Sequence, residues 1–340
     1  MSAAPVAVPQ PAVVGKRRSP VAVILVLFGL ALLVSFATMG LGAVRVPQPQ
    51  AIKALFGHGS LDQVRTVRDF ELPRILIAWL AGGSLAIAGA VIQGVIRNPL
   101  AAPDVVGVTK GAGLGVVLML LVYPGAAVSY LPVAAFLGGI LAMAIVYLFA
   151  YRRGTTPVRL ALVGIAVSAF CESIIRYVMI DKQQAVGTAL VWLTGSLAHV
   201  DMASVWQFLP WVLVLVPVCV YSSIKLDLLG LGDDLASGLG VAVERTRRFT
   251  LLIAVLLASA TVAVMGTIAF VGLIAPHIAR RLVGSRHHVL LPASAGIGAL
   301  LVLVADAVGR GAHPPVELPA GMITALIGAP YFVYLLSRSL

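Results

Sequence analysis

The chain is 340 residues long, 60% of them hydrophobic and 11% charged, with a mean hydropathy of +1.03 and a formal net charge of +11 at pH 7. That balance excludes an ordinary soluble domain and describes a polytopic membrane protein. Cys171 and Cys219 lie in apolar segments without CxxC spacing, which argues against a disulfide framework or a metal knuckle.

Residues 1–20, rich in Ala, Pro and Val, read as a disordered cytoplasmic tail ahead of a single transmembrane unit over residues 21–340. Lys16-Arg17-Arg18 before an apolar run mimics a secretion signal, but the run is longer than a signal core and reads as an uncleaved first helix. Matched to a span of about 20 residues, the apolar runs predict helices near 21–42, 72–96, 104–122, 131–150, 158–180, 206–223, 249–268, 289–309 and 317–337. A shorter apolar piece near 272–283 is tolerated at membrane depth only when packed inside protein. The expected fold is all-α, about ten transmembrane helices counting the short one. With the N-terminus inside, fifteen Lys and Arg residues fall on the cytoplasmic side against seven outside, so both termini are expected in the cytoplasm. This asymmetry accounts for much of the net charge without nucleic acid as a partner.

Gly82-Gly83, Gly89, Gly111, Gly113, Gly115, Gly138-Gly139, Gly296 and Gly298 give small-residue faces on which helices can approach closely. Charged groups within apolar runs are costly and informative. Glu172 with Arg176, and Asp306 with Arg310, stand four residues apart, so each acid has a base on its own helix face. They neutralise each other near helix ends or line a water-filled path. Lys110 has only the poorly phased Asp104 nearby, and either snorkels or faces a cavity. No G-x-x-x-x-G-K-[ST], strand-borne GxGxxG, HExxH or Ser/His/Asp spacing occurs, so no catalytic, cofactor or metal residues are expected in this chain.

Two blocks carry a resemblance. The first runs from Leu72-Pro73-Arg74 through Gln93-Gly94-Val95-Ile96-Arg97-Asn98-Pro99-Leu100-Ala101-Ala102-Pro103 into Gly107, a small-residue helix closed by a polar hairpin that holds the only asparagine. The second, Gly266 to Arg280, reads G-x-I-x-F-x-G-L-x-x-P-H-x-x-R and contains Gly272, Pro276 and His277; Asp306 and Glu317-Leu318-Pro319-Ala320-Gly321 follow it. Together they resemble, over about residues 72–338, the permease subunits of ABC importers for ferric siderophores, haem and vitamin B12. Val191-Trp192-Leu193-Thr194-Gly195-Ser196-Leu197 and His313 to Pro319 look most like the ferric citrate members.

The resemblance implies a subunit that dimerises with an identical or paralogous copy in the cytoplasmic (inner) membrane of a bacterium. Two cytoplasmic ATPase subunits would carry the ATP, and an extracytoplasmic substrate-binding protein would deliver an iron chelate. Haem or vitamin B12 cargo is the alternative; a secondary transporter would need inverted repeats that the halves do not display. In the coupling loop near 226–248, Leu231, Gly232, Asp233, Asp234, Leu235, Ala236, Ser237, Gly238, Leu239 and Gly240 alternate apolar and polar residues in two short helical pieces, suited to a partner's groove. The resemblance makes this the ATPase contact. It also places an inner gate at Thr155, Thr156, Pro157 and Val158, and a path along the helix from Leu160 and the helix from Leu318 to Leu336. Arg65, Arg68, Arg74 and Arg310 are expected to form a basic outer rim for the binding protein, Arg74 and Arg310 being alternatively plain helix-end anchors. Where the family commonly shows R-L-P-R this chain has Glu71-Leu72-Pro73-Arg74, which shifts the first arginine's role toward Arg68.

Overall fold

The computed structural model describes residues 19–40, 46–123, 130–151, 156–181, 186–312 and 316–339, and the fold is all-helical. The long α1 (Pro20–Thr38) is followed by α2 (Gln48–Leu55), α3 (Leu61–Arg65) and a π-helical turn (Thr66–Glu71) that runs directly into α4 (Leu72–Ile96). Next come α5 (Val108–Val122), α6 (Leu131–Ala150), α7 (Pro157–Asp181) and α8 (Val186–Thr194). Two short helices, α10 (Ser223–Gly230) and α11 (Asp233–Gly238), follow α9 (Met202–Tyr221). The chain closes with α12 (Val243–Met265), α13 (Val271–Val283), α14 (His287–Ala312) and α15 (Ala320–Ser339). Seven of the described helices are long and apolar enough to cross a membrane, which makes this a multi-pass membrane protein. The tail expected at the N-terminus lies outside the described residues up to residue 18.

The boundaries move where local chemistry outweighs hydropathy. α5 starts at Val108 rather than near 104 because the backbone turns at Gly107, whose φ of +94° disfavours any side chain. α9 starts at Met202 rather than near 206 because Asp201 caps it: the carboxylate accepts the Ser204 N–H at 2.8 Å. The Ser204 hydroxyl, which donates to the same carboxylate at 2.7 Å, and the backbone donors hold the Asp201 carboxyl below its ordinary range. α12 gains its first turns from an amphipathic stretch in which Thr246, Arg247 and Thr250 are buried while Arg245 and Arg248 are exposed. A hydropathy average misses such a stretch. The short α8 was not expected at all, since nine residues cannot span a membrane.

The core is built around α4, which is almost wholly buried against α14, α12, α13 and α9. Small residues make this possible. The Gly82 and Gly298 backbones meet so closely that a Cβ on either would collide with the other's carbonyl, and Gly111 of α5 meets Gly138 of α6 in the same way. In lipid, where apolar burial drives little helix association, such close van der Waals packing is the main source of cohesion.

Candidate functional site

The two signature blocks, far apart in sequence, form one interface. Gly89 of α4 faces Gly272 of α13 with no room for a Cβ, and Pro103 packs on Gly272 from the following loop. The buried Gln93 side chain bridges the elements: its amide donates to the Leu273 carbonyl at 3.4 Å, and its oxygen accepts from Arg280 at 3.1 Å. The hairpin after α4 turns at Arg97, in the left-handed region with φ +54°. Asn98 then accepts the Leu100 N–H at 2.9 Å through its side-chain oxygen, an Asx-type turn that leads through Pro99 into the loop. Further along α13, Pro276 is buried and the His277 ring stands edge-on to Tyr331 of α15, with ring centroids 6.2 Å apart.

At one end of the bundle, charges cluster under cover. Arg310 donates to Glu71 at 2.6 Å and lies 3.0 Å from Asp306, both ends of the Glu71 pair being about 3% exposed. Arg74 binds Glu317 through both terminal nitrogens and approaches Asp306 at 3.9 Å. Three carboxylates and two guanidiniums thus tie α4, α14 and the segment entering α15 together. The hydrogen bond from Arg74 holds the Glu317 carboxyl below its ordinary value.

At the other end, α10 and α11 are pinned to the body through their acids. Asp227 accepts both the His287 backbone N–H at 2.9 Å and a contact from the His287 ring at 2.6 Å, securing the start of α14. Asp233 binds Arg97 at 3.1 Å and Arg247 at 2.9 Å, joining the loop to the ends of α4 and α12. Leu226 and Leu229 of α10 are buried, whereas Leu231, Leu235 and Leu239 point outward, 56%, 62% and 61% exposed. Asp234, Ser237, Gly238 and Gly240 are exposed as well, Gly232 is half-buried, and within α11 Ala236 packs inward.

Between the ends lies a cavity of about 350 Å³, lined by Asp104, Lys110, Thr194, Thr267, Gly321 and Met322 among others. Its walls are sewn together by the backbone, with the Thr267 N–H donating to Trp192 and the Gly321 N–H to Gly195, both at 3.0 Å. Gly321 abuts the Thr194 carbonyl, leaving no space for a side chain, while Pro319 accepts the first turn of α15. Lys110 ion-pairs with Glu172 of α7, which also holds Arg176 at 3.1 Å.

Several expectations meet the structure here. The two intrahelical pairs are present, but Lys110 is not left with Asp104: its partner is Glu172, 62 residues away. Arg65 and Arg68 are exposed, with Arg68 donating to the Leu55 carbonyl at 3.0 Å. Arg74 and Arg310, expected on the same exposed rim, are instead buried at 8% and 5%, because Glu71, Asp306 and Glu317 surround them. Glu71, noticed only as a departure from R-L-P-R, is the residue that makes this burial affordable for Arg310. Thr156 sits at the start of α7, its hydroxyl accepting the Arg159 N–H at 3.4 Å, with Pro157 half-buried and Val158 exposed; Thr155 lies outside the described residues. The Asp227–His287 and Asp233–Arg97–Arg247 anchors were not foreseen, since nothing local in sequence pairs them.

A helical bundle with buried charge clusters at membrane-helix ends, a largely apolar cavity that holds Asp104 and Lys110 and an outward-facing apolar loop unit defines a multi-pass membrane permease. The chain belongs to the FecCD transport family, whose description matches residues 23–338. It is 45% identical over 322 residues to the Fe(3+)-citrate import system permease protein YfmE of Bacillus subtilis (strain 168), covering 94% of this chain and 96% of that one. It is 42% identical over 314 residues to the Fe(3+) dicitrate transport system permease protein FecD of Escherichia coli (strain K12), covering 92% and 98%. Among solved structures, a metal-chelate type ABC transporter in an inward-facing conformation superposes with a TM-score of 0.83 at 30% identity, over 93% of this chain and 99% of that one.

Proposed function

We propose that the chain is the membrane permease subunit of an ATP-driven importer that carries an intact iron chelate, a ferric siderophore or ferric citrate, across the cytoplasmic membrane of a bacterium. The observation that carries the mechanism is the α10–α11 unit: an exposed Leu231/Leu235/Leu239 stripe on a platform fixed by Asp227 and Asp233. Exposed leucines on a rigidly tethered helix pair are suited to fill a partner's apolar groove and pass its movement to α4, α12 and α14. ATP is hydrolysed on that partner, a separate ATPase subunit present in two copies. The names of the relatives at 45% and 42% identity support iron chelate as the cargo.

In this reading α1, α4, α5, α6, α7, α9, α12, α14 and α15 cross the membrane, the short α13 completes about ten, and both termini face the cytoplasm. The Lys and Arg residues of the α10–α12 region, Lys225, Arg245, Arg247 and Arg248, support that orientation, because inner loops are enriched in basic residues. The exposed apolar faces of α7 and α15, with Val158, Leu162 and Ile165 on one and Leu326 and Val333 on the other, support a dimer with an identical or paralogous copy around the path. The segment from Thr155 to Val158 would then gate its inner end. A substrate-binding protein docks outside on the exposed Arg65 and Arg68, while Arg74 and Arg310 brace the helices beneath.

The test is uptake into proteoliposomes of the chain with its copurifying subunits. Accumulation of ferric citrate or a ferric hydroxamate only with ATP and the binding protein is the expected result. Uptake driven by an ion gradient without ATP would refute the importer reading.

A further inference from the structure

Outside the cavity and the charge clusters, a groove of about 400 Å³ runs between α6 and α12. Its walls are apolar, with Ile140, Ala144 and Leu148 on α6 and Leu252 and Val255 on α12, but one end is closed by the Arg248 side chain. Arg248 is exposed and has no hydrogen bond or ion pair among the described residues. Arg245, three residues earlier and therefore on a neighbouring part of the helix surface, is exposed as well. The nearby Glu244 is engaged elsewhere, accepting from the Tyr147 hydroxyl and lying 3.5 Å from Arg247. Tyr147 and Tyr151 stack at this same end, 6.0 Å between ring centroids, which is the side-chain type that settles at headgroup level.

We infer that this groove binds one anionic phospholipid, an acyl chain lying between α6 and α12 and the headgroup phosphate on Arg248, assisted by Arg245. An apolar slot open at bilayer depth is filled by lipid tails in any membrane; the free guanidinium at its mouth is what selects a negative headgroup over a zwitterionic one. The tyrosine pair sets that mouth at the interface, so chain and phosphate are satisfied together. The inference rests on α6 and α12 spanning the bilayer, and its test reads lipid retention rather than transport, so its failure leaves the importer reading standing.

The chain with its native partners is reconstituted in nanodiscs of phosphatidylcholine mixed with phosphatidylglycerol, extracted in mild detergent and examined by native mass spectrometry. One retained phosphatidylglycerol per chain is expected, in preference to phosphatidylcholine. Arg248→Gln should lower that retention about fivefold, the effect of one interfacial arginine, and Arg248→Lys should keep most of it. Leu252→Trp, which fills the groove from an exposed position, should lower it without touching the charge. Equal retention of both lipids, retention unchanged in Arg248→Gln, or displacement of the retained lipid by added inorganic phosphate would overturn the assignment. So would cysteine cross-linking at Leu252 between two copies, which would give the groove to a second chain.

Discussion

Arg310 illustrates how a buried charge is made tolerable. It sits between Glu71 and Asp306, so the three groups form a set in which each loss has a different cost. Removing Glu71 leaves Arg310 paired with Asp306, whereas removing Arg310 strips Glu71 of its hydrogen-bonded partner under cover and leaves Asp306 only Arg74, 3.9 Å away. Breaking a buried pair by deleting one member costs about 3–5 kcal/mol, largely through the stranded partner. Arg310→Met should therefore destabilise the protein by about that amount and Glu71→Gln by clearly less, read from unfolding midpoints in detergent. A larger loss in Glu71→Gln would mean that Asp306 contributes nothing. Glu317 gives a pH signature. Arg74 lowers its carboxyl from the ordinary 4.5, so the linkage stabilises the fold fully above that value and is lost as pH falls through the lower folded value. The stability difference between wild type and Glu317→Gln should be constant near neutrality and shrink only in acid below 4.5; a difference that already fades at neutral pH would contradict the pairing. Sequence spacing disclosed Asp306–Arg310, four apart, but could not disclose Glu71–Arg310, 239 apart, because only the packing of α4 on α14 brings them together.

At the scale of elements, the long apolar helices were legible because a span needs a sustained apolar run, and α4 and α6 fall where hydropathy puts them. The short α2, α3 and α8 were not, since their ends are fixed by caps and by contacts with other segments. The two pieces of the α10–α11 loop were readable from the intervening glycine, although the acids that pin them were not. This unit allows a clean test. A Cβ on Gly238 meets nothing in this chain, so Gly238→Glu disturbs only what docks there. ATP-coupled uptake and substrate stimulation of the ATPase should fall at least about tenfold, the scale of losing one interface hot spot. Membrane insertion should remain intact. Unchanged uptake would remove α10–α11 as the coupling element.

For the molecule as a whole, the proposed path between two copies would have to close at one end while the other opens. Thr156 stands exposed at the start of α7, beside Pro157 and Val158. Cysteine at Thr156 should cross-link the two permease subunits in one nucleotide state and not in another; cross-linking that ignores nucleotide would exclude a gate there. In the sequence, only the signature blocks pointed to such a path, through the resemblance they carry. Their joint packing, with Gly89 on Gly272 and Gln93 reaching Arg280, explains why they share small and polar residues at membrane depth.

One consequence concerns α14. It starts at His287, held by Asp227 of the loop unit, and carries Arg310 of the opposite charge cluster near its far end. Its 26 residues make a rod about 39 Å long. Near the middle, at Gly298, its backbone rests directly on Gly82. Gly298 lies eleven residues from His287 (298 − 287) and twelve from Arg310 (310 − 298), and α14 also touches α4 at both ends, His287 against Gly94 and Arg310 against Glu71 at the head of α4. A push delivered at His287 would then be carried by the α4–α14 pair as one stiff strut, the far charge cluster moving with the near anchor. Spin labels on cysteines at His288 and Gly311 should keep their distances to a fixed site on α4 when nucleotide binds; opposite changes at the two ends would show that α14 pivots at Gly298.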